Sequence, residues 1–237
     1  MTTSVIQNIV LVRHDASIAN VDPSVYKRMP DHVIPLVELD SPRAKHAADL
    51  IRALGLAVDA TCSWCSPYVR CRQTEEAVLA HAFGTAVPQV RRRESFLLRE
   101  QEFGDWDSLT DQEAERELPR AFAKRKLLTD NLGKFYYRYP NGESRADVVL
   151  RVLVLMGKVH RSDFANHLLF LHGVTQRAFR MAWLNLGVDW FEEEANPSNA
   201  SVLHIRRDEA HGWVERYLPD GPEHATEWRR TIARSTP

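Results

Sequence analysis

No apolar run in this chain approaches the roughly 20 residues that a membrane-spanning helix needs. Only a short apolar stretch precedes Arg13 and His14, too short for the core of a secretory signal. Three cysteines are too few for a disulfide framework, so the chain reads as one kept in the reducing cytoplasm. Charge of one sign is also missing. The 31 lysines and arginines nearly cancel the 32 aspartates and glutamates, for a net charge of −1. That argues against a general nucleic-acid binder, but it leaves room for a local anion pocket built from a few arginines. Internal repeats and low-complexity blocks are absent too. What remains is an ordinary soluble composition, 44% hydrophobic and 27% charged over 237 residues. It is enough for one domain, 1–237, with an insertion at about 94–140 and a polar C-terminal tail from about 218.

Two short apolar runs each end in a histidine: Ile9-Val10-Leu11-Val12-Arg13-His14 and Leu168-Leu169-Phe170-Leu171-His172. Runs of this kind read as buried strands of an α/β protein. Strands are expected at 7–14, 57–65, 86–91, 167–172, 199–206 and 212–217. Ser41-Pro42 and Ser66-Pro67 carry the capping residue and the first-turn proline of helices ending near Gly55 and Gly84. Ser144 with Asp147 resembles a capping box for a helix over 144–161, and another helix is expected over 174–186. A charged stretch at 109–127 reads as a helix inside the insertion. The alternation of strand and helix implies a three-layer α/β/α sandwich with a mostly parallel central sheet.

In such sheets sites form outside the carboxyl ends of the strands. His14 and His172 would both reach that edge, together with Arg13 and with Arg70 in the first turn of the helix after Ser66-Pro67. Two guanidinium groups, two imidazoles and two helix N-termini make a site for a tetrahedral anion. Histidine can also act as a nucleophile.

The motif Arg13-His14-Asp15-Ala16-Ser17-Ile18-Ala19-Asn20 resembles the Arg-His-Gly-x-Ser-x-x-Asn signature of the histidine phosphatase superfamily, the phosphoglycerate-mutase-like group (branch 1). Four further segments resemble that group's motifs in the same order: Ser66–Thr74, Leu98–Gly104, Leu171–Thr175 and Asn199–Ser201. Within the group, the segments around Tyr26–Leu36, Arg99–Gly104 and Phe135–Ser144 look most like small phosphatase-like members of plants and fungi. The resemblance implies a phosphomonoesterase acting through a phosphohistidine on His14. Arg13, Arg70 and His172 would bind the phosphoryl oxygens, assisted by Ser17, Asn20 and the Gly173 backbone. Glu100 would protonate the leaving oxygen and then activate water. Neither metal nor cofactor is implied, and the partner is a small phosphorylated substrate.

The chain departs from the family pattern at several positions. Asp15 stands where the family has glycine, and a carboxylate about 4 Å from a phosphoryl group would cost on the order of 4 kcal/mol at an effective dielectric of 20. That carboxylate must turn away or find a cation unless turnover is reduced. Ala16, Val37, Asp40 and Arg43 also replace family residues. The acid loop lacks the Arg-His-Tyr of true mutases, which ranks a cofactor-dependent phosphoglycerate mutase second. A phosphate-binding regulatory protein with little turnover comes third, and Glu102 is the rival acid to Glu100. Cys62-Ser63-Trp64-Cys65 has redox-like spacing, but strand alternation sends its two thiols to opposite faces. Arg91-Arg92-Arg93 reads as a solvated strand end, and the aromatics at 135–139 as packing for the insertion.

Overall fold

The computed structural model describes residues 6–218 and the backbone of 229–230; the polar tail expected from about residue 218 otherwise lies outside the described residues. In chain order the elements are β1 (Asn8–Arg13), α1 (Ile18–Val21), α2 (Pro42–Ala53), β2 (Thr61–Cys65), α3 (Val69–Phe83), β3 (Arg91–Glu94), α4 (Asp111–Glu117), α5 (Pro119–Leu132), α6 (Arg145–His160), β4 (Asn166–Leu171), α7 (Gly173–Leu184), α8 (Val188–Glu193), β5 (Val202–Asp208), β6 (Gly212–Tyr217) and β7 (Arg229–Arg230).

The sheet runs β3-β2-β4-β1-β5-β6-β7. β3, β2, β4 and β1 are mutually parallel, and β5 to β7 extend the β1 edge antiparallel. The late strand β4 slots between β2 and β1. That insertion sets the carboxyl ends of three strands distant in sequence side by side.

Strand alternation divides the core in two. Ile9, Leu11, Leu169 and Leu171 pack with Val148, Val152, Leu155 and Phe179 of α6 and α7. Val10, Val12, Leu168 and Phe170 pack with Ala44, Ala48, Ile51, Val78 and Leu79 of α2 and α3. The helices therefore cover both faces, as a three-layer sandwich requires. Cys62 and Cys65 fall into different halves of this core, and both thiols are buried and unbridged.

Local signals explain most boundaries. The Ser41 hydroxyl accepts from the Ala44 N–H at 3.0 Å, with Pro42 at the first helical position. The Ser144 hydroxyl accepts from Asp147 N at 3.1 Å, while the Asp147 carboxylate accepts from Ser144 N at 2.7 Å. Several boundaries differ from expectation; the strand expected over 57–65, for one, spans only Thr61–Cys65. The charged stretch at 109–127 is two helices, because Pro119 cannot continue α4 and starts α5 instead. Residues 84–89 wind into a 3₁₀ turn containing Pro88, and the edge strand starts only at Arg91. The helix after Ser66-Pro67 starts at Val69, and the Ser66 hydroxyl accepts from Tyr68 N at 3.4 Å ahead of its first turn. The three arginines of β3 are exposed: Arg92 pairs with Glu75 and Glu76, and Arg93 lies over the Trp64 ring.

Candidate active site

His14 follows β1 directly, and its N–H donates to Leu171 O at 2.9 Å. His172 follows β4, and the neighbouring Ser66 N–H donates to Phe170 O at 3.0 Å. The strand ends are thus laced together, and the two imidazole centroids lie 5.2 Å apart at an interplanar angle of 59°. Both rings are buried. His14 Nδ1 lies 2.7 Å from the Asp15 carbonyl oxygen. A carbonyl only accepts, so the proton sits on Nδ1 and Nε2 keeps a bare lone pair. His172 Nε2 contacts the Ser66 hydroxyl at 2.9 Å, and the same oxygen accepts from Tyr68 N at 3.4 Å. Cys71 Sγ sits 3.4 Å from the same nitrogen, and Tyr68 packs edge-on to the ring at 4.9 Å.

Arg70 is buried in the first turn of α3. Its guanidinium donates to the Asp31 carbonyl at 2.7 Å and pairs with the Asp31 carboxylate at 2.8 Å. Arg13 donates from one terminal nitrogen to the Pro197 carbonyl, while its buried Nε has no partner. Desolvation, then Arg70 and Arg13, hold the His14 pKa well below the usual imidazole range. Desolvation, then Arg70 and His14, do the same for His172. Both rings are neutral near pH 7, so the positive charge of the pocket belongs to Arg13 and Arg70.

Glu100 bridges from its loop to the start of α7. Its carboxylate accepts from the N–H groups of Val174 and Thr175, each at 3.2 Å, and from Gln101 N at 3.0 Å. The rival acid, Glu102, is half exposed and paired with Arg99 at 3.0 Å. Asn20 Oδ1 accepts from Ser17 N at 2.9 Å, from the Ser17 hydroxyl at 3.0 Å and from Asn199 Nδ2 at 3.3 Å. Ser17 therefore spends its proton on Asn20. Gly173 opens α7 beside Asn196, whose side chain would lie 3.0 Å from a β-carbon there.

Asp15 is buried and fully engaged. Its carboxylate accepts from Arg43 Nε at 2.7 Å, from Ala16 N at 2.6 Å and from the Ser41 hydroxyl. Two departures from the family pattern, Asp15 and Arg43, are thus partners, and the acid charge is held at the start of α2. Arg43→Gln is expected to unpair that charge beside the pocket and to weaken inhibition by inorganic phosphate about three- to tenfold. Inhibition by phosphate should recover in the double variant Arg43→Gln/Asp15→Gly. An unchanged phosphate inhibition constant in Arg43→Gln would mean that the pair does not guard the pocket.

Four neighbours of the site were not legible in the sequence: Asp31, Tyr26, Ser66 as a histidine partner, and Glu143. Asp31 lies in an irregular stretch, so no periodic pattern marks it. Tyr26 is pushed up to about 12 by burial and by Asp31, and it also interacts with Arg70 and Glu100 at the pocket.

Residues 9–218 match the model of the histidine phosphatase superfamily, branch 1. The chain belongs to that superfamily. Family relatives include the phosphoglycerate mutase-like protein AT74 of Arabidopsis thaliana, 32% identical over 212 residues that cover 83% of this chain and 63% of AT74. The chain therefore spans less than two thirds of that relative. The broad-range acid phosphatase DET1 of Saccharomyces cerevisiae is 28% identical over 143 residues, 57% of this chain and 39% of DET1. The fold matches a mycobacterial glucosyl-3-phosphoglycerate phosphatase solved with VO3, with a TM-score of 0.64, 23% identity, and coverage of 90% of this chain and 98% of that one. It also matches Bacillus stearothermophilus YhfR, with a TM-score of 0.63, 22% identity, and coverage of 92% and 98%.

Proposed function

We propose that the protein is a phosphomonoesterase that works through a phosphohistidine on His14. The observation that carries this reading is the His14 tautomer. A buried imidazole with its Nδ1 proton fixed on the Asp15 carbonyl offers a bare, neutral Nε2 beside two guanidinium groups. That is the form a nucleophile needs.

The substrate dianion enters between Arg13, Arg70 and His172, with Asn20 (turned by Ser17) and the N–H of Gly173 at the rim. The arginines neutralise the charge that spreads over the equatorial oxygens during transfer. His14 Nε2 forms a bond to phosphorus as the ester oxygen leaves with a proton from Glu100. The alcohol departs, Glu100 takes a proton from water, and the attacking oxygen displaces His14 to release inorganic phosphate. Two displacements replace one difficult hydrolysis. The pairing of Asp15 with Arg43 removes the motive for a turnover-deficient binding protein.

A panel of phosphate esters tests the reading. Purified protein treated with chelator is expected to release inorganic phosphate from aryl and sugar phosphates without added bisphosphoglycerate. Interconversion of phosphoglycerates without net phosphate release would instead make it a mutase. Loss of all activity with chelator would overturn the metal-independent route.

A further inference from the structure

The loop that carries Glu100 is held by a buried ion pair as well as by the packing of Leu97 and Leu98 into the core. Arg151 sits mid-way along α6 and is 8% exposed. It donates to the carbonyls of Leu97 at 2.7 Å and Glu100 at 3.0 Å. It also grips both carboxylate oxygens of Glu143, at 3.0 and 3.1 Å. Glu143 in turn accepts from Arg99 at 2.6 Å and from Glu102 N at 3.2 Å. Its own N–H donates to Glu102 O at 2.8 Å, and Gln101 Nε2 donates to its carbonyl at 2.9 Å. The turn at 140–143 presses so closely on the acid loop that a β-carbon on Gly142 would lie 2.5 Å from Glu102 O, and one on Gly104 2.1 Å from Pro140 O. Gly104 also has φ +56°, a second reason for glycine there.

We propose that the Arg151–Glu143 pair is the positioning device for Glu100, a proposal that rests on Glu100 being the proton donor of this site. The carboxylate of Glu100 is fixed on the N–H groups of α7, and its main-chain carbonyl is fixed on Arg151. The two anchors sit on two long helices, α6 and α7, which are packed against each other in one core. With both ends tied to rigid elements, the carboxylate holds one place relative to His14. Arg151 reaches the reaction only through the loop backbone. Releasing it lets the acid drift, and a displacement of about 1 Å can cost two orders of magnitude in proton transfer.

The test is a leaving-group series. We would measure kcat/KM, which reports the first displacement, for phosphate esters running from nitrophenyl to simple alkyl alcohols. A nitrophenolate leaves without help, whereas an alkoxide needs the proton. Arg151→Met is expected to lose about 30- to 100-fold on alkyl esters and less than about threefold on nitrophenyl phosphate. Removing one partner of a buried pair leaves a bare charge, so the double variant Arg151→Met/Glu143→Gln is measured alongside it. This variant should show the same selective loss even if the single variant fails to fold. A uniform loss across the series, or no loss, would overturn the proposal. Glu100→Gln separates the two levels of argument: a selective loss there with a uniform loss in the pair variants sinks the positioning role alone. A uniform loss in Glu100→Gln sinks the role of Glu100 itself.

Discussion

His14→Ala is expected to lower kcat/KM on a phosphate monoester by at least about 10⁴-fold, the scale seen when a covalent nucleophile is removed. The reason is specific to the geometry. Among the described residues, the His14 imidazole alone combines burial, a proton fixed on the far nitrogen and a free lone pair among the arginines. His172 cannot take over, because its Nε2 is already engaged by Ser66 and lies against Cys71. Binding should survive, since Arg13, Arg70 and His172 remain; inorganic phosphate should bind within about tenfold of the parent protein. Mixing the parent with a phosphorus-labelled ester and quenching at alkaline pH should leave label on the protein, and the variant should carry none. A variant within tenfold of the parent rate would remove the phosphohistidine from the mechanism and leave only direct attack by water.

The site was legible in the sequence to the extent that its residues sit at the ends of regular elements. His14 and His172 terminate apolar strands, and Arg70 lies in a first helical turn. For such positions, pattern implies place. The order of the strands then did the rest, because β4 between β1 and β2 is what brings those ends together. Periodicity does not announce that insertion, because it is set by the long-range pairing of β4 with β1 and β2. Asp31, Ser66 and Glu143 were missed for the complementary reason. Asp31 lies in a 3₁₀ turn, Ser66 in a link, and Glu143 at the edge of a turn, and each acts through long-range hydrogen bonds that local sequence does not encode. After Ser66-Pro67 the helix starts at Val69, and the Ser66 hydroxyl binds His172 and Tyr68 N instead of a first-turn N–H. At Ser41 the hydroxyl does cap, yet it also donates to Asp15, so the signal there serves structure and site together.

The same buried imidazoles make the fold sensitive to mild acid. His167 is fully buried, and its Nδ1 accepts from the Trp64 indole N–H at 3.1 Å. An indole can only donate, so protonating that nitrogen would set two donors against each other. Desolvation holds His167 down to about 4, and desolvation with Arg216 and Arg206 holds His204 to about 4. Both values lie below the unfolded range near 6.5, so the native state refuses protons that the unfolded chain accepts. Stability from these two rings is complete above about pH 6.5 and is lost as pH falls toward 4. Between pH 7 and 5 each ring costs about 2 kcal/mol, and His14 and His172, also lowered, add to that loss. Asp107 works in the opposite direction. Partial desolvation and Asp31 raise it to about 6, so it takes up a proton on folding, but the residue stays largely exposed and offsets only part of the loss. A net loss of at least about 4 kcal/mol is a large share of the 5–15 kcal/mol that hold a domain together. The urea midpoint should therefore fall by at least roughly 1.5 M from pH 7 to pH 5. Saturating phosphate should restore part of that loss, because a dianion between Arg13 and Arg70 favours protonated His172 in the native state alone. Equal midpoints at the two pH values would mean that these rings gain their protons inside the fold, and the neutral His14 on which the mechanism depends would lose its physical basis.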